Sequence, residues 1–128
     1  MPYHVQWLAQ DRVIFERIWG VFDDNEAQIS DHAIVELLDQ SSASVIHLLV
    51  DISEVNACLS IKAVHQLMTP RHAKMGWLIV YGANKPFVRA LLMLAIVVFN
   101  LRYRVLKDKT QALEFLAGLD ALPQRSTS

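Results

Sequence analysis

The period of the apolar residues changes several times along the chain, and each change marks an element. Residues 3–8 (YHVQWL) and 12–19 (RVIFERIW) are rich in β-branched and aromatic side chains, which predicts two strands. Only Ala9-Gln10-Asp11 separates them, a gap that suits an antiparallel hairpin. The alternation within 13–19 is imperfect and does not by itself assign a buried face. Gly20 and Asp23-Asp24 end the second strand, and Asp23 with Glu26 three positions on has the pattern of a helix-starting capping box. Ala27, Ser30, Ala33/Ile34 and Leu37/Leu38 then recur at helical spacing, predicting an amphipathic helix that stops near Gln40.

The middle of the chain follows a different pattern. Residues 45–52 are almost continuously apolar, interrupted by His47 and ended by Asp51, as expected of a strand covered on both faces. Residues 53–59 read as a loop. Ser60 can cap a short helix whose apolar face would be Ile61, Val64 and Leu67/Met68, interrupted by Thr69-Pro70. Residues 77–81 form another short apolar strand, closed by Gly82. Asn84 is the expected cap of the next helix, with Pro86 in its first turn, where a missing amide hydrogen costs little. That helix, residues 86–101, is apolar nearly all round. Residues 103–106 predict a last strand. Asp108 or Thr110 should then cap a final helix carrying Ala112/Leu113, Phe115/Leu116 and Leu119 on one side.

The order β-β-α-β-α-β-α-β-α with short joints predicts a single α/β domain over residues 1–122, followed by a flexible tail over 123–128. Its mostly parallel five-stranded sheet should be built by helical crossovers. The length of 128 residues is enough to bury a core without disulfides or metals, and the 53% hydrophobic content excludes a disordered chain. A net charge of −1 gives no positive excess with which to neutralise phosphates, so no nucleic-acid partner is expected. The one cysteine, Cys58, cannot form an internal disulfide, and with a start (MPYHVQW) that has no secretory pattern it points to the cytoplasm. The most apolar run, residues 90–99, is half the roughly 20 residues that a membrane-spanning helix needs.

Three stretches resemble the STAS family, named for bacterial anti-sigma factor antagonists and sulfate transporters. RVIFERIWG (12–20), with the acidic helix start after it, is similar to the family's opening hairpin. LLVDIS (48–53) is similar to its strand ending in Asp-hydrophobic-Ser. YRVLKDKTQALEFL (103–116) is similar to its terminal strand and helix. The resemblance spans roughly residues 3 to 119, rests on order and spacing, and is nearest the SpoIIAA-like subgroup, which shares a β-α superhelix with SEC14-type lipid-binding domains. It implies a non-enzymatic module that binds a protein partner. In regulatory members that partner is a kinase-like anti-sigma factor, and a Ser in an Asp-Ser-Ser/Thr-Gly motif is phosphorylated. Here the corresponding stretch is Cys58-Leu59-Ser60-Ile61-Lys62, so Leu59 stands at the acidic position, Ile61 at a hydroxyl position and Lys62 at the glycine.

Ser60 is therefore the candidate phosphoacceptor, against the plainer role of an N-cap. Asp51, Ser53, Glu54 and Asn56 are the candidate partner-binding loop. Asp51 at a strand end could act as a general base, but no nucleophile or second carboxylate is arranged with it in the sequence, and turn capping is the plainer reading. Five histidines form no metal-binding spacing, and Gly76, Gly82 and Gly118 form no phosphate loop, so neither metal nor cofactor is expected. The helix over 86–101 has three open readings: a fully buried core helix, a homodimer or partner interface, or the wall of a groove for lipid or another apolar ligand, including peripheral membrane association. Phe87, Leu91, Leu94 and Val98 are its candidate contact residues.

Overall fold

A computed structural model describes residues 2–57 and 59–127, with side chains as far as 119. The strands are β1 (Tyr3–Ala9), β2 (Val13–Val21), β3 (Ile46–Ala57), β4 (Met75–Tyr81) and β5 (Tyr103–Leu106). The helices are α1 (Asp24–Gln40), α2 (Ile61–Gln66), α3 (Pro86–Phe99) and α4 (Lys109–Thr127), with a 3-10 turn at Thr69–Arg71. The five strands lie side by side in chain order. β1 and β2 are antiparallel, and β2–β3, β3–β4 and β4–β5 are parallel. The sheet is thus mixed rather than mostly parallel, because the three-residue joint after Ala9 can only reverse the chain. Asp11 makes that reversal in the left-handed region (φ 62°), and its Oδ1 accepts a hydrogen bond from Ser41 at the end of α1.

Crossovers of one hand that step across a sheet in one direction leave their helices on one face. α1 and α3 accordingly pack with Ile14, Ile18, Leu48, Val50, Leu78 and Val80, and α4 covers Val13, Phe15, Leu49 and Ile79 on the other face. This two-sided covering explains the unbroken apolar run in β3: Leu48 and Val50 face one layer and Leu49 the other.

The helix ends follow local chemistry. Asp23 accepts from the Glu26 amide (2.9 Å), but Glu26 does not complete the box, and its buried Oε2 has no hydrogen-bond partner among the described residues. α1 has no basic residue in its last turn; Lys74 Nζ instead reaches across to the carbonyls of Leu38 (2.8 Å) and Ser41. α3 begins after Lys85 rather than at an Asn84 cap, and ends at Asn100 in the left-handed conformation. Asp108 caps α4 through the Gln111 amide at 3.0 Å.

Three further expectations need correction. Residues 53–57 are strand, not loop. β3 continues past Ile52 because β2 keeps pairing with it through two register shifts, with Trp19 opposite Glu54 and Val21 opposite Ala57. α2 closes at Gln66, and Ile61 and Met68 are exposed (59% and 51%) rather than on a buried face. α3 is not a fully buried core helix: Val88 and Ile96 are buried, while Phe87 (47% exposed), Met93, Val97 (75%) and Val98 are open. The boundary placed at 122 and the tail over 123–128 fall where side chains lie outside the described residues, as does Cys58.

Candidate functional site

Three groupings carry chemistry, and all sit on or behind β2 and β3. The first is a row across β2, β3 and β4, at mid-strand in β2 and β3 and at the last residue of β4. Register places Arg17, Asp51 and Tyr81 side by side. Asp51 accepts from the Ser53 amide (2.9 Å) and hydroxyl (2.7 Å) through Oδ1, and from the Tyr81 hydroxyl (3.1 Å) through Oδ2. Arg17 pairs with Glu54 and lies over the Trp19 ring, 4.8 Å from its centroid. Burial, and then the neighbouring Asp51 carboxylate, push the Tyr81 hydroxyl above its ordinary range, so it remains a proton donor. With three donors already on it, Asp51 fastens the middle of β3 to the end of β4. This is the geometry of a structural carboxylate rather than of a base aimed at a substrate.

The second grouping joins the starts of α1 and α2. The Ser60 hydroxyl caps α2 by accepting from the Ala63 amide at 3.1 Å. The same residue donates to Asp24, from its amide to Oδ1 (2.6 Å) and from its hydroxyl to Oδ2 (2.8 Å). These two bonds hold the Asp24 carboxyl below its usual range. Close by, Lys85 Nζ bonds the Val55 carbonyl and Asn56 Oδ1, both at 2.8 Å, fastening the start of α3 to the end of β3. The candidate residues Ser53, Glu54, Asn56 and Ser60 are all exposed along this end of the sheet, and Phe87 is exposed in the first turn of α3.

The third grouping is an apolar cavity of about 180 Å³ between the sheet and the helices of the first layer. Ile18, Leu48, Val50, Leu78 and Val80 form its floor, and Val88, Leu91, Leu92 and Ala95 of α3 form its roof. Of the four residues proposed on α3, Leu91 lines this space; Phe87 and Val98 face outward and Leu94 is half-buried. One ionisable side chain of β2 stands in the wall. Glu16 is buried, and its Oε2 accepts a hydrogen bond from the Ser30 hydroxyl of α1. Burial, and to a smaller degree the Asp31 carboxylate, raise its pKa from 4.5 to about 7 against the opposing Ser30 bond. Asp31 also lines the cavity, but it is engaged by the Met68 and Thr69 amides, both at 2.9 Å, which tie the break after α2 to α1.

Sequence reasoning did not find Glu16. The available signal was paired: a carboxylate between Ile14 and Ile18 on one strand face, and a serine, Ser30, inside the apolar stripe of α1. Among the described residues no group of His, Cys, Asp and Glu could hold a metal ion, and no helix is long and apolar enough to cross a membrane.

Neither a protein-family model nor a curated protein matches the sequence. Solved structures do match in shape. An uncharacterized protein of the DUF3478 family from Shewanella loihica PV-4, described as having a SpoIIAA-like fold, superposes with a TM-score of 0.66 at 17% identity, over 89% of this chain and 93% of that one. The anti-sigma factor antagonist SpoIIAA in its unphosphorylated form superposes with a TM-score of 0.64 at 12% identity, over 91% of this chain and 96% of that one. Sheet order, helix placement and these superpositions lead to one conclusion: the chain has the SpoIIAA-like fold of the anti-sigma factor antagonist, as its resemblance to STAS sequences implies.

Proposed function

We propose that the protein is a non-enzymatic regulatory module that acts by binding a protein partner on the outer surface of α2 and α3. The observation that carries this reading is the exposed apolar surface there. Ile61 and Met68 flank α2, α2 packs against α3, and α3 turns Phe87, Met93, Val97 and Val98 to solvent. Such side chains lose little by exposure singly, but several on neighbouring elements are the usual mark of a contact surface. The fold supports the same reading, since the SpoIIAA structure is that of an anti-sigma factor antagonist. Ser60 is the candidate switch on this surface. A phosphate on its Oγ would replace the bond to Asp24 with repulsion between two anions, and would loosen the start of α2 from α1. Affinity capture with the wild type and with Val97→Asp tests the reading. The wild type should retain a specific partner that the equally folded variant loses; retention by both removes α3 from the contact.

A second reading, capture of an apolar molecule or lipid, is favoured by the cavity under α3. Native mass spectrometry of the purified protein and vesicle flotation test it. Protein that carries no ligand and stays off vesicles fails it.

A further inference from the structure

We propose that the cavity beneath α3 is a binding site for a small amphiphile: an apolar body with a single hydrogen-bond-donating head, an alcohol or an amine, directed at Glu16. The proposal rests on the apolar-ligand reading above and adds the size, the polarity and the anchor residue.

Size comes first. A cavity of about 150 Å³ lined by Leu, Ile and Phe accepts a benzene-sized guest. The space here, about 180 Å³ with largely Leu, Ile and Val walls, fits a body of similar dimensions. A long acyl chain would need α3 to move. Most of the half-buried lining residues, Leu59, Leu67 and Pro70 on the α2 side and Leu91, Leu92 and Ala95 on α3, lie along these two elements, which places the mouth between them.

The head group follows from Glu16. A carboxyl in an apolar wall costs free energy unless its oxygens are engaged. Ser30 engages Oε2; Oε1 takes no hydrogen bond from the described residues, and the side chain borders the cavity. Once Glu16 is ionised, above about pH 7, an oxygen in that position accepts from an O–H or an N–H brought by a guest. Asp31 is the other titratable group in the lining. It adds negative potential, and its oxygens are already occupied by the Met68 and Thr69 amides. Among the described residues no basic side chain lines the space, so a carboxylate or phosphate head would find two acidic groups and no counter-charge. The selection is thus for donors and against anions. An amine gains most above neutral pH, where Glu16 ionises and the pair becomes charge-assisted.

Toluene, benzyl alcohol, benzylamine and benzoate share one ring and differ in the head. Methyl NMR titrations should show each of the first three shifting Val50, Val80, Leu91 and Leu92. Benzylamine at pH 8 should bind at least about tenfold more tightly than toluene, and benzoate most weakly. Glu16→Gln should erase the benzylamine advantage and leave toluene unchanged. Ala95→Leu, which fills the space from α3, should weaken all of them. If none of the four moves the lining methyls, the cavity does not take ligands and the apolar-ligand reading falls. If toluene and benzylamine bind alike in both the wild type and Glu16→Gln, the cavity takes apolar guests but Glu16 does not select them, and only this proposal falls.

Discussion

The buried carboxyl of Glu16 makes a quantitative prediction about folding. In the unfolded chain it titrates near 4.5; in the folded protein it holds its proton up to about pH 7. The folded state therefore binds more protons between those values, and stability falls as pH rises through the window. The contribution is fully present below pH 4.5 and is lost once pH exceeds 7. The separation of the two titrations corresponds to about 3 kcal/mol, the cost of ionising the group in place. Glu16→Gln keeps the shape and an oxygen that can accept from Ser30, but has no proton to lose. Urea denaturation of both proteins at pH 5, 6, 7 and 8 isolates the effect, because every other titrating group is common to the pair. The two should be nearly equal at pH 5. At pH 8 the variant should be more stable by up to about 3 kcal/mol, or roughly 10 °C in Tm for a domain of this size. Equal differences at all four pH values, or a wild type that gains on the variant as pH rises, would refute the assignment of a raised titration to Glu16.

Other predictions follow from single contacts. A Cβ at Gly82 would sit 2.6–2.7 Å from Ser53 backbone and side-chain atoms, at a φ of 85°; Gly82→Ala should cost about 2–4 kcal/mol by chemical denaturation. Gly118 has nothing within 4 Å and lies in α4, so Gly118→Ala should gain about 0.5–1 kcal/mol in the same assay. A loss at Gly118 would mean that the helix is not formed there. Ser60→Ala removes the α2 cap and should cost about 1 kcal/mol, whereas Ser60→Thr, which keeps a hydroxyl acceptor, should cost less. Val97→Asp changes a side chain 75% exposed and should leave stability within about 0.5 kcal/mol.

Much of this architecture is legible because its signals are local. Asp23, Ser60 and Asp108 accept amide hydrogens within their own chain neighbourhoods, and the Val-Ile-Leu runs of β3 and β4 need covering on both faces wherever they lie. What escaped was decided by partners distant in sequence. Ser53, Glu54 and Asn56 have poor strand propensity, yet they extend β3 because β2 is beside them and its bulges absorb the mismatch. α3 reads as a core helix by composition, but the sheet and the first-layer helices cover only one side of it, which leaves Val97 and Phe87 outside. Glu16 was hidden because its compensation, Ser30, is 14 residues away in another element.

The proposed contact surface is tested most directly by placing a photo-crosslinking residue at Ile61, Val97 and Glu114 in turn, each within the full chain in cells. Ile61 is exposed at the start of α2 and Val97 in the last turn of α3, and Glu114 is exposed on α4 across the sheet. The proposed surface requires adducts to the same protein from positions 61 and 97 and none from 114. Adducts only from 114, or equally from all three, would contradict it.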